Sequence, residues 1–166
     1  MTVIHSAEFA REGGSLSGST ALADMPRLTD LLAHVKGDAS WTLVGGVDRI
    51  ERPYLRLKVQ VEVQLVCQRC MKPLSFFVNA DTVLTQFADE EKLDEAVAQD
   101  EDLEGILIEP ELDVEVLVED EILLALPYAP RHERCDPDAK VVTESGKPNP
   151  FAVLAKLKAE NAEDTN

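Results

Sequence analysis

Two short motifs hold the residues best suited to chemistry. Cys67-Gln68-Arg69-Cys70 is a Cys-x-x-Cys pair, and His132-Glu133-Arg134-Cys135 adds an imidazole and a third thiol at His-x-x-Cys spacing. Three cysteines is an odd number in a chain with no export signal, which favours free thiols or metal ligands over a disulfide framework. A structural zinc site is tetrahedral and needs four donors, and Cys67, Cys70, His132 and Cys135 are the set whose chemistry and spacing could supply them. His5 and His34 are isolated from other ligand types. The long separation between the two motifs means that such a site would clamp a loop to a turn rather than build a self-contained finger. The same residues also suit reduced thiols packed against the loop without metal, and the sequence leaves both readings open. A thiol oxidoreductase fits less well. Redox Cys-x-x-Cys pairs normally sit at a helix N-terminus, where the dipole lowers the thiol pKa, whereas Met71-Lys72-Pro73 and a further apolar run follow here. No Gly-rich phosphate loop with Lys-Ser/Thr and no Gly-x-Ser-x-Gly elbow occurs, so no catalytic residue is assigned and the protein is expected not to be an enzyme.

These motifs need a scaffold, and the clearest periodic signal lies just before the first of them. From Tyr54 to Val66, Leu55, Leu57, Val59, Val61, Val63 and Leu65 alternate with Arg56, Lys58, Gln60, Glu62 and Gln64, which predicts a strand with one face on a core and one in water. Leu74 to Phe87 reads as a second strand with an irregularity at Asn79-Ala80-Asp81. The Cys-x-x-Cys therefore falls at the tip of an antiparallel hairpin. Trp41 to Ile50 predicts a preceding strand, bulged or bent at Gly45-Gly46. Pro26 can open a helix through Leu28, Leu31, Leu32 and Val35 that Gly37 closes. Asp113 can cap another, with Val114, Leu117, Val118, Ile122 and Ala125 on one face and Pro127 at its end, leaving Glu115, Glu119, Asp120 and Glu121 toward solvent. Asn149-Pro150 starts a short C-terminal helix over 150–160, and residues 10–20 read as a flexible loop. The fold class expected is α+β: an antiparallel sheet of four or five strands, curled into a partial barrel at Gly45-Gly46, with flanking helices. A length of 166 residues fits one domain over 1–166. No stretch approaches the about 20 apolar residues of a membrane span, and Met1 to Ala10 lacks a signal-peptide pattern, so a soluble, cytoplasmic protein without membrane partners is expected.

The formal net charge of −16 argues against a protein that coats phosphates over a wide surface. The excess is local. Asp89 to Glu121 holds sixteen acids and one base, whereas residues 1–83 carry nine of each sign. The part around 88–104 is expected to be a solvated acidic loop or frayed helix. Basic residues that could touch RNA phosphates are Arg52, Arg56 and Lys58 on the long strand, Arg69 and Lys72 at the hairpin tip, and Lys147, Lys156 and Lys158 near the end. Strand-face bases that only solubilise a sheet are the plain alternative.

Three segments in series carry a resemblance: the strand ending in Cys67-Gln68-Arg69-Cys70 with Pro73 soon after, the run Val118-Glu119-Asp120-Glu121-Ile122-Leu123-Leu124-Ala125-Leu126-Pro127 followed by His132 and Cys135, and the ending Lys147-Pro148-Asn149-Pro150-Phe151-Ala152-Val153-Leu154-Ala155-Lys156-Leu157. Over roughly residues 40–158 the chain resembles the bacterial YceD family, the large ribosomal RNA subunit accumulation proteins. The resemblance implies a ribosome-biogenesis role in synthesis, processing or accumulation of large-subunit ribosomal RNA, with precursor ribosomal RNA or an assembly intermediate as partner. It also implies a link to a small basic ribosomal protein, which the acidic stretch could hold in soluble form. It carries over no catalytic residues.

Overall fold

The computed structural model describes residues 2–135. In chain order these form β1 (Val3–Ile4), α1 (Ser6–Arg11), β2 (Ser15–Ala21), α2 (Pro26–Thr29), β3 (Leu32–His34), β4 (Asp38–Val47), β5 (Pro53–Val66) and β6 (Pro73–Phe87), followed by α3 (Glu90–Gln99), β7 (Glu104–Leu107), β8 (Leu112–Asp113) and α4 (Val114–Ala125). The expected helix over 150–160 and Lys147, Lys156 and Lys158 lie outside the described residues. Among the described residues, no helix is long and apolar enough to cross a membrane.

β5 obeys its period-two pattern throughout. Leu55, Leu57, Val59, Val61, Val63 and Leu65 are buried, and their even-numbered neighbours face outward. It pairs with β6 from Tyr54↔Thr85 to Val66↔Pro73 and on its other side with β4. The sheet order is β2-β4-β5-β6-β7, with β3 on the end of β5 that β4 leaves open. The inner face receives Leu28 of α2 and Val114, Val118 and Ile122 of α4, giving one core between sheet and helices. α4 begins as expected, with the Asp113 carboxylate accepting from the Glu115 amide at 3.0 Å.

Several expectations need correction. The sheet is mixed, because β7 runs parallel to β6. A parallel pair requires a crossover of about a dozen residues, and the acidic segment supplies it. What was expected as an acidic loop over 88–104 contains α3, capped by Asp89 on the Lys92 amide at 3.0 Å. Gly105 permits the helix to approach, since a Cβ there would collide with Leu93. β2 and β7 form the two ends of the sheet path, so the sheet does not close into a barrel. Gly45-Gly46 makes no bulge: Gly45↔Leu55 and Gly46↔Tyr54 stay in register. Gly45 is needed because α1 crosses there, and a Cβ would come within 2.6 Å of the Phe9 carbonyl oxygen. Asn79-Ala80-Asp81 also pairs regularly, opposite Gln60, Val59 and Lys58. Most of the expected loop over 10–20 is β2, paired with β4 and held by the Trp41 indole N–H donating to the Thr20 hydroxyl at 3.0 Å.

The Pro26 helix is a single turn that stops at Thr29, and Leu31 is 51 % exposed. Leu32 joins the β5 ladder instead, opposite Leu65. The turn is held by Glu119, which does not face solvent. Its carboxylate accepts from the Arg27 amide (2.7 Å), the Leu28 amide (3.0 Å) and the Arg27 guanidinium (2.9 Å). Glu121 is also buried, where the Thr82 hydroxyl donates to it at 2.7 Å. Burial pushes the Glu121 carboxyl above the usual carboxylate range against the pull of Thr82, and Glu104 and Asp120 push the same way.

Glu119→Ala is expected to cost about 3 kcal/mol in urea unfolding, since it leaves the Arg27 and Leu28 amides without their acceptor, whereas the Arg27 guanidinium keeps Asp120. Glu121 has the opposite sign. A carboxyl raised in the folded state loses stability as pH climbs past its unfolded value of about 4.3. Glu121→Gln should melt several degrees above wild type at neutral pH, with the gap closing near pH 4. A gap that persists in acid refutes the ionisation account.

Candidate metal centre

The hairpin tip is built to hold two thiols on one side. β5 ends at Val66 and β6 begins at Pro73, so six residues reverse the chain. The Cys67 amide donates to the Lys72 carbonyl (3.0 Å) and the Met71 amide to the Cys67 carbonyl (2.9 Å), with Met71 at φ +59° closing the turn. Cys67 continues the odd-numbered core face of β5, and both Cys67 and Cys70 are buried.

The chain returns to this tip after α4. The Gln68 amide donates to the Pro130 carbonyl at 2.8 Å. The Arg69 guanidinium donates to the His132 carbonyl at 2.9 Å and to the Cys135 sulfur at 3.0 Å. These contacts bring the four expected ligands together, with their donor atoms all within 4.8 Å of one another. Cys67 Sγ lies 3.7 Å from Cys135 Sγ, and Cys70 Sγ lies 3.4 Å from His132 Nδ1. All three cysteines are free thiols, and the Cys67–Cys135 separation is well beyond an S–S bond of about 2.05 Å. A tetrahedral ion with metal–sulfur bonds of about 2.3 Å and metal–nitrogen bonds of about 2.0 Å has edges of about 3.8 Å and about 3.5 Å. Two edges of the cluster already have that size.

His132 is poised as a ligand. Its Nε2 is 3.1 Å from the Pro73 carbonyl, which can only accept, so Nε2 carries the hydrogen and the Nδ1 lone pair points to the cluster. The sulfurs are prepared unequally. Burial opposes ionisation of Cys67, but the Cys70, Arg69 and His132 amides outweigh it and hold the thiol down to about 5. The Lys72 amide favours the Cys70 thiolate, yet burial and the neighbouring Cys67 and Cys135 sulfurs push that thiol up. The arrangement can hold a metal ion, with Arg69 offsetting the excess charge of three thiolates. The Cys-x-x-Cys lies between two strands and receives no helix dipole.

The other sequence-selected residues occupy two places. Arg56 and Lys58 are neighbours on the outer face of β5, where Asp81 takes a bidentate pair from Arg56 (2.7 and 2.8 Å) and a contact from Lys58 at 3.2 Å. The Arg56 guanidinium, helped by Lys58, holds the Asp81 carboxyl at about 2. Arg52, at the turn between β4 and β5, is bound by Asp48 at 2.8 Å. Arg69 and Lys72 are at the tip, Arg69 serving as a clamp between loops. Sequence reasoning passed over Arg131 and Arg134, both exposed, and Tyr128, although the run Tyr128 to Cys135 shows two arginines flanking His132.

A family model described as "Large ribosomal RNA subunit accumulation protein YceD" matches residues 55–158. A protein of that name from Haemophilus influenzae is 35 % identical over 150 residues, 85 % of this chain and 86 % of that protein. No solved structure matches the chain. The matched span takes in the β5–β6 hairpin from Leu55 on, α4 and all four residues of the cluster, and the chain belongs to the YceD family.

Proposed function

We propose that this chain supports the synthesis, processing or accumulation of large-subunit ribosomal RNA as a non-enzymatic factor, and that Cys67, Cys70, His132 and Cys135 hold a structural zinc ion. The observation that carries the first part is the similarity to the Haemophilus influenzae protein over most of both chains. The second rests on the cluster. Three thiolates and one imidazole are soft, tetrahedral-preferring donors, and they fill the coordination sphere. A filled sphere leaves no position for water or substrate, so the ion would serve to pin residues 131–135 onto the hairpin tip. The partner on this reading is precursor ribosomal RNA or a large-subunit assembly intermediate.

A second reading is favoured by α3. None of its residues is buried, and Glu90, Glu91, Asp94 and Glu95 in its first half, with the acids of its flanks, form an acidic surface in which Lys92 is the single base. Such a surface would speed encounter with a small basic ribosomal protein.

Freshly purified protein should carry one zinc per chain, lost in Cys67→Ser. Chelation should lower the wild-type melting temperature, and added zinc should restore it. Metal-free protein whose thiols all titrate freely overturns the zinc assignment. A strain lacking this chain should accumulate less large-subunit ribosomal RNA relative to small-subunit RNA, and wild type should restore it. The two readings part on a variant combining Glu90→Gln, Glu91→Gln, Asp94→Asn and Glu95→Gln. This keeps the crossover that a deletion would destroy. Full restoration by the variant supports direct action on RNA, and failure by a folded variant supports capture of a basic protein.

A further inference from the structure

Charge is segregated on this molecule, and the segregation points away from the sheet face. Arg52, Arg56 and Lys58, on and beside β5, are held in ion pairs by Asp48 and Asp81, and the exposed Glu62 on the same strand brings acids level with bases, so that face offers phosphate little net attraction. The two loops that build the Cys3His cluster differ. Among the described residues, these loops present Arg131 and Arg134 against Glu133, all exposed, while Arg69 offsets the cluster's thiolates, in a chain whose net charge is −16. Arg131 and Arg134 make no ion pair among the described residues. Beside them runs a groove of about 410 Å³, lined by Leu65, Leu123, Leu126, Tyr128 and Pro130, with Gln68 contributed by the hairpin tip. Tyr128, at the rim of this groove, is 105 % exposed, so among the described residues its ring is left in water.

An aromatic ring left in water beside an apolar groove, with two guanidinium groups that make no ion pair among the described residues, matches what an unstacked nucleotide needs. Phosphates take the cations, and the base takes the ring and groove. Resting on the reading of this chain as a large-subunit ribosomal RNA factor, we infer that the pole formed by Tyr128, Arg131, Arg134 and the adjoining groove contacts single-stranded ribosomal RNA. Duplex RNA hides its base faces and cannot use Tyr128. The acidic α3 repels phosphate, which confines the RNA to this pole. The cluster's task is then to fix the spacing of Arg131 and Arg134 against the hairpin tip.

The test uses the full zinc-loaded chain and the fluorescence anisotropy of labelled oligouridine, with an oligouridine–oligoadenine duplex as comparison, between about 50 and 200 mM salt. Arg131→Glu with Arg134→Glu should weaken single-strand binding about tenfold or more and flatten the salt dependence by about 0.7 in log–log slope per lost phosphate contact. Tyr128→Ala should weaken binding about tenfold with the slope unchanged. Arg56→Glu with Lys58→Glu should leave affinity near wild type. Zinc content and melting temperature confirm folding, and Arg131→Gln with Arg134→Gln is the milder pair if charge reversal disturbs the loop. The pole is overturned if the sheet-face variant loses affinity while the pole variants keep it, if duplex binds as tightly as single strand, or if wild type ignores the probe at low salt. Wild type that restores ribosomal RNA in cells yet fails to bind the probe sinks the pole alone. A deletion strain with normal ribosomal RNA sinks the proposed function whatever the probe does.

Discussion

Because Tyr54 to Val66 pairs residue by residue with Thr85 to Pro73, the side of the sheet on which every β5 side chain falls is set by parity. Odd positions enter the core and even ones meet water, and a slip of one residue would bury Arg56 and Lys58 while exposing six aliphatic side chains. The same parity runs on past the strand end and turns Cys67 inward, toward the side on which α4 and the returning loop pack. The ladder therefore does two things at once: it supplies the core and aims the first thiol. The cluster is a consequence of this register, completed when Gln68 and Arg69 capture residues 130–135.

Electrostatics follows the same frame. Asp81 stands opposite Lys58 across the ladder and also binds Arg56, so two bases of the outer face share one carboxylate. The surplus of acid is placed on the crossover between the parallel strands β6 and β7, a segment that must exist for geometric reasons and need bury little. Lining such a segment with carboxylates costs the core nothing, and it leaves the hairpin tip and the loop of residues 128–135 as a cationic pole. A net charge of −16 thus describes α3 and its flanks, not the surface beside the cluster.

Where the two buried carboxylates sit, local pattern was misleading. Both were expected toward solvent, yet Glu119, off the apolar stripe of α4, is buried because the turn at Pro26 brings it amides, and Glu121, seven residues after Val114 and three after Val118, lies on the stripe itself and is met by the Thr82 hydroxyl. Similarly, Leu28, Leu31, Leu32 and Val35 have helical spacing, but the open edge at the end of β5 offered Leu32 a ladder, and the helix stops after one turn.

What the sequence by itself determined is local and periodic: the alternation of β5, the hairpin with Cys-x-x-Cys at its tip, the Asp113 cap and Pro127 stop of α4, and the four residues able to form a site. These follow from a side chain's own preferences and those of its near neighbours. The tertiary structure decided what depends on residues distant in the chain. It made β7 parallel, turned the serine-rich segment into an edge strand, tied Arg56 and Lys58 to Asp81, and brought His132 and Cys135 within ligand distance of the hairpin thiols. Each of these is a pairing between groups with no common local pattern, and only the folded chain fixes which partner each one meets.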